Sequence, residues 1–171
     1  CTYCNPPYPL DNKSGPFIIE HMSTHILHDR RHINREMEPC GLCLRSHEAC
    51  QAQPRQIYLT KRQGKHGSVI IDWARSCCPN LTLFSYAKAA QSHKGFPCSN
   101  VPLQCPLCDT GSPAVWCYNL QYHLARIHPN INSESLSLCK LWRLSSNELA
   151  HMKDVWKDRK NRKKTCLRSR N

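Results

Sequence analysis

Residues 105–130 read CPLCDTGSPAVWCYNLQYHLARIHPN. Cys105 and Cys108 open the stretch, and His123 and His128 close it. Two thiolates at Cys-x2-Cys spacing on a tight knuckle face one tetrahedral ion, and two histidines with three to five residues between them complete its ligands. Asp109-Thr110-Gly111-Ser112-Pro113 reads as a turn and Trp116 to Ile127 as a helix. Pro129 ends that helix, because a proline has no N–H to continue the ladder. Leu120, three residues before His123, stands where such a finger buries an apolar side chain. Cys117 reads as an incidental thiol.

The same grammar opens the chain. Cys1-x2-Cys4 is followed by sixteen residues, then His21-x3-His25. Asn5 to Pro16 is proline-rich and turn-like, whereas Phe17 to Leu27 contains no breaker and reads as a helix. Histidines four apart stack on one helical face and can share a metal. His28 is an alternative partner for His25, but His28 and His32 read better as solvated helix-end residues beside Asp29, Arg30 and Arg31.

Between these ends lies a cysteine-rich stretch. Cys40-Gly41-Leu42-Cys43 forms the second of three knuckles in chain order, followed by Cys50, the pair Cys77-Cys78, and Cys98. Neighbours on an extended chain point to opposite sides, so only one of Cys77 and Cys78 can face a given ion. The expected ligands are Cys40, Cys43, Cys78 and Cys98, with Cys50 in reserve. Gln56 to Thr60 and Ser68 to Trp73 alternate about a turn at 63–67, which reads as a β-hairpin with Val69, Ile71 and Trp73 on one face. Lys61, Arg62, Lys65 and His66 sit at its tip.

Residues 131–171 have no metal spacing. Ser145-x2-Glu148 is a capping-box pattern. Leu149, Met152, Val155 and Trp156 then repeat at helical spacing, predicting a stripe that packs on a neighbouring module. The predicted architecture is a tandem of small zinc-stabilised α+β modules: Cys2His2-like fingers at 1–35 and 105–130, a cysteine-rich hairpin module at 36–104, and a linker, helix and basic tail at 131–171.

Metal rather than disulfide explains this pattern. The cysteine count is 13, which is odd, and a disulfide framework has no use for paired histidines. Three knuckles predict three structural Zn²⁺ ions. No apolar run is long enough to span a membrane. The chain begins with Cys1 rather than Met, which reads as a piece of a longer product.

The order of several segments resembles a large group of uncharacterised Cys2His2-type zinc-finger proteins of mushroom-forming fungi. The shared wording includes His21-Met22-Ser23-Thr24-His25, Glu38-Pro39-Cys40-Gly41-Leu42-Cys43 and Cys78-Pro79-Asn80. Pro97-Cys98-Ser99-Asn100, Ala114-Val115-Trp116 and Tyr118-Asn119-Leu120 belong to it too. The resemblance covers about residues 1–156 and implies Cys2His2-type ends around a central cysteine-rich module. It matches Cys78 rather than Cys77, and implies no metal-ligand role for Cys117. The group carries no activity to transfer.

Net charge is +12, with residues 40–104 contributing +6 and residues 131–171 contributing +7. A basic balance favours polyanionic partners. The expectation is a nuclear, non-enzymatic protein that contacts DNA or RNA through phosphates. Its contacts would be Lys61, Arg62 and Lys65, and the run Lys157, Arg159, Lys160, Arg162, Lys163 and Lys164. In residues 105–130 the positions that would face bases are Trp116, Tyr118, Asn119 and Tyr122, with no Arg or Lys among them. The aromatics would therefore offer stacking faces more than a base code. A protein-interaction scaffold is the alternative. No small-molecule substrate is expected: ligands come in fours, acidic residues number only 12, and no His-x-Glu signature occurs.

Overall fold

A computed structural model describes residues 1–10, 13–46, 56–62, 68–91, 97–132 and 136–168, giving only the backbone for Leu136 and residues 159–168. Helix α1, Gly15–His28, forms where the breaker-free run was predicted, with Pro16 in its first turn. Gly15 is required by crowding, since a Cβ there would lie 2.7 Å from the Leu83 carbonyl oxygen. Two strands, β1 (Leu59–Lys61) and β2 (Val69–Ile71), pair antiparallel with Leu59 opposite Ile71 and Lys61 opposite Val69. The chain then forms a short helix α2, Tyr86–Ala89. A second ladder joins β3 (Pro102–Leu103) to β4 (Val115–Trp116), and an Ile57–Ala114 bridge ties the two ladders together.

Trp116 departs from the sequence expectation of a helix. It pairs with Pro102 in β4, and the helix begins only after a 3-10 turn, Cys117–Asn119, as α3, Leu120–Ile127. The indole lies flat against Gly41, where a Cβ would meet Trp116 Cε3 at 2.3 Å. Long-range packing here overrides local periodicity. Short helix α4, Leu136–Cys139, leads to the long α5, Ser146–Arg168.

Helix α5 lies along α1. Met152 is fully buried in this seam, His151 pairs with Glu20 at 2.9 Å, and Trp156 packs on the α1 histidines. The predicted stripe is shifted. Leu149 remains 44% exposed, and Glu148 occupies the buried margin of the helix instead. The hairpin face is also only partly internal: Ile71 is buried, while Val69 and Trp73 are exposed.

The segments share one core. Ile18, Ile19, Met22 and Ile26 of α1 meet Leu42, Leu44, Ile57, Ile71, Trp116, Tyr118 and Met152 in a single cluster. Buried amides bind it further. Asn100 donates to Ser23 Oγ at 2.8 Å and accepts from the Tyr118 N–H at 3.1 Å, while Asn119 donates to the Pro39 carbonyl at 2.8 Å. A smaller cluster of Cys105, Val115, Leu120 and Leu124 lies under the third knuckle. Among the described residues no helix is long and apolar enough to cross a membrane.

Candidate metal centres

Three groups of Cys and His side chains converge, each with ligand atoms within 4.8 Å of one another. The first comprises Cys1, Cys4, His21 and His25. Turn residues carry the two cysteines, and α1 presents its two histidines one turn apart. Cys1 Sγ is 3.6 Å from His25 Nε2, and Cys4 Sγ is 3.5 and 3.3 Å from His21 and His25 Nε2. Bonds of about 2.3 Å to sulfur and about 2.0 Å to nitrogen at a tetrahedral angle would place such atoms about 3.5 Å apart. The donor set fits one tetrahedral ion.

Support behind these ligands is specific. Asp29 Oδ2 is 3.1 Å from His25 Nδ1, so an N–H there leaves the Nε2 lone pair facing the sulfurs. Burial would raise the Asp29 carboxyl, but hydrogen bonds from His25 and His32 outweigh it and hold it below its ordinary value. Burial likewise raises the Cys4 thiol, yet the two histidines overcome it and lower the thiol to about 6. Tyr8 stacks on His21 with ring centres 5.1 Å apart, and the edge of Trp156 meets His25 at 5.3 Å. His28 packs towards Trp156 and stays out of the group, while His32 is a largely exposed partner of Asp29.

The third knuckle forms an equivalent group from Cys105, Cys108, His123 and His128. Cys105 Sγ is 3.7 Å from His128 Nε2, and Cys108 Sγ is 3.3 Å from both His123 and His128 Nε2. Its supporting carboxylate comes from far along the chain. Glu38 Oε1 lies 3.0 Å from His123 Nδ1 and accepts from Arg126 at 2.6 Å. Burial would raise the Glu38 carboxyl, but these two bonds hold it below its usual range. Neither Asp29 nor Glu38 was singled out from sequence. Asp29 follows His25 by one helical turn, a usable signal, whereas nothing local links Glu38 to His123.

The central group contains Cys40, Cys43 and Cys78. Cys40 and Cys78 Sγ are 3.8 Å apart, the separation of about 3.8 Å that two sulfurs sharing a tetrahedral ion would have. Hydrogen bonding and repulsion from Cys43 and Cys78, together with burial, drive the Cys40 thiol well above its ordinary value. At Cys78 the bond with Cys40 favours the thiolate, but Cys43 and burial outweigh it and push the thiol up to about 12. A bound cation reverses this logic by stabilising every thiolate at once.

Cys98, expected as the fourth thiolate, does not join the other three. It is fully buried beside Tyr118, whose hydroxyl is 3.5 Å from its Sγ and donates to Glu148 Oε1 at 2.6 Å. Burial pushes the Cys98 thiol up to about 11. Glu148 also accepts from the Ser99 N–H at 2.6 Å and the Ser99 hydroxyl at 2.8 Å, which ties the segment that carries Cys98 to α5. Cys77 stays out too; its N–H donates to the Gln56 carbonyl at 2.9 Å. Cys50, the reserve ligand, lies outside the described residues. Cys117 is packed inside, with its thiol donating to the Leu141 carbonyl at 3.1 Å.

The base-facing positions expected on the 105–130 finger are spent on the fold. Trp116, Tyr118 and Asn119 are buried, and Tyr122 carries the Arg35 guanidinium 4.5 Å above its ring. The stacking faces expected of Trp116 and Tyr118 are therefore closed to a ligand. Lys61 and Arg62 are exposed, and Lys157 is exposed with Asp154 at 3.4 Å. Lys65 lies outside the described residues. Arg159, Lys160, Arg162, Lys163 and Lys164 fall on the continuing backbone of α5. Comparison with protein-family models, with curated proteins and with solved structures returns no match.

Proposed function

We propose that this chain is a zinc-ordered, non-enzymatic protein that contacts DNA or RNA through phosphates, with a nuclear role such as transcription regulation. The observation that carries the metal part is the closure of two complete Cys2His2 quartets, each backed by a carboxylate on a ligand histidine. Such sets keep no position open for water or substrate, as catalytic zinc sites do. The resemblance to fungal zinc-finger proteins fits the same reading. Three ions are proposed, the third held by Cys40, Cys43 and Cys78 with one further ligand.

The nucleic-acid part is supported by charge. Helix α5 continues without a break to Arg168, so the basic run from Lys157 to Lys164 extends a rod anchored by Met152 and Trp156. Phosphate neutralisation releases counterions, so five contacts would weaken duplex binding about 500-fold between about 50 and 200 mM salt. Metal analysis of reductant-purified protein, followed by titration with labelled duplex and single strands at those two salt concentrations, tests both parts. Fewer than two ions per chain defeats the metal reading. Burial of Trp116, Tyr118 and Asn119 favours a second reading, a protein-interaction scaffold, and loss of all nucleic-acid binding at low salt would select it.

A further inference from the structure

The hairpin face that carries Val69, Ile71 and Trp73 is only partly covered. Val69 is 37% exposed, Trp73 45% and Leu83 79%. These residues, with Phe84 and Tyr86, line a cleft of about 410 Å³ between β2 and the 82–87 segment. Its walls are set by the fold. Ile71 is anchored in the main core, and the Tyr86 hydroxyl donates to the Pro102 carbonyl at 2.7 Å. The exposed indole and leucine give an occupant of this cleft apolar walls.

Charge chooses the occupant. Arg62 lines the cleft, Lys61 precedes it, and Lys88 lies exposed on α2; no carboxylate is among the described lining residues. Asp72, adjacent to Trp73, is engaged with the Arg75 backbone N–H at 3.2 Å. An acidic ligand with flat apolar groups matches a cleft with the Trp73 indole towards one end and Arg62 and Lys61 towards the other. In a duplex the base faces are covered by their neighbours, so an indole can stack only on an unpaired base.

We propose that this cleft binds an unpaired base of a single-stranded nucleic acid, with Trp73 as the stacking platform and Lys61 and Arg62 as phosphate contacts. The proposal rests on the nucleic-acid reading above and names its substrate class. It also moves the stacking role from Trp116 and Tyr118, which are buried, to Trp73.

The test uses the full zinc-loaded chain with a fluorescent oligo-dT strand and a duplex of equal length. The strand should bind more tightly than the duplex. Trp73→Ala should weaken strand binding about tenfold, the scale of one base stacked on an aromatic ring, with duplex affinity and melting temperature unchanged. Trp73→Phe should retain most of the affinity. Lys61→Ala with Arg62→Ala should flatten the strand's log–log salt slope by about 1.4, for two contacts at about 0.7 each. If both nucleic acids bind and Trp73→Ala changes neither, the cleft assignment is overturned and the nucleic-acid reading stands. If neither binds, both fall. An acidic peptide that binds in a Trp73-dependent manner in that last case would identify the cleft as a protein-docking surface.

Discussion

The first and third metal centres use the same donor set in different surroundings. At the first, α1 carries His21 and His25 and also delivers Ile18, Ile19, Met22 and Ile26 to the main core. Helix α5 then covers the centre with Trp156. At the third, α3 carries His123 above a small cluster of Cys105, Val115, Leu120 and Leu124. It joins the rest through Glu38, Arg35 and Asn119. One donor set can therefore organise a whole core or fasten a peripheral unit. The difference lies in where the ligand helix is packed.

The sharpest way to break this comparison is to remove one ligand from each centre. Structural zinc contributes roughly 10–16 kcal/mol of apparent folding free energy, against a net stability of about 5–15 kcal/mol for a typical domain. Cys4→Ser should cost one ion and unfold the chain, seen as loss of cooperative thermal melting and of far-UV helix signal. Cys108→Ser should also cost one ion but act locally. Amides of α3 should then exchange quickly while those of α1 and α5 stay protected. Equal global unfolding by both variants would erase the distinction.

The central group supplies an intermediate case. Cys78→Ser should release one ion, whereas Cys77→Ser and Cys98→Ser should retain all of them, as metal analysis would measure. Cys98→Ser should still lower stability, because it alters a sealed contact with Tyr118. Retention of every ion by Cys78→Ser, with loss in Cys98→Ser, would contradict the grouping seen in the structure.

Smaller effects concern the residues that join the regions. Glu148→Ala would leave the Tyr118 hydroxyl and both Ser99 donors without their acceptor, costing about 3 kcal/mol by the scale of buried unsatisfied groups. Denaturant melting should show this loss with metal content unchanged. Least damaging should be Glu38→Gln and Asp29→Asn, each lowering metal affinity about 10- to 100-fold at its own centre alone. Competition with a chromophoric chelator would reveal which centre weakens.

The hairpin shows how far sequence legibility reached. Its pairing was readable because alternation is local, and Leu59 does meet Ile71 across the ladder. Which residues of its face would be covered was not readable, since that depends on packing by distant segments. Trp116 makes the same point in reverse. Its local context favours a helix, but the contact with Gly41, 75 residues earlier, holds it in a strand and buries it.

The sequence by itself determined the chemistry of the metal groups. Knuckle, His-x3-His and His-x4-His spacings are short-range, and the backbone geometry of a turn or a helix brings such neighbours together without further help. Cys1, Cys4, His21 and His25, and likewise Cys105, Cys108, His123 and His128, converge for that reason. Only the tertiary structure decided the rest: Glu38 behind His123, Glu148 between Ser99 and Tyr118, Cys98 apart from the other thiols, and Trp73 left open. Each of these outcomes depends on which distant surface arrives to exclude water or satisfy a buried polar group, and no pattern along the chain encodes that locally.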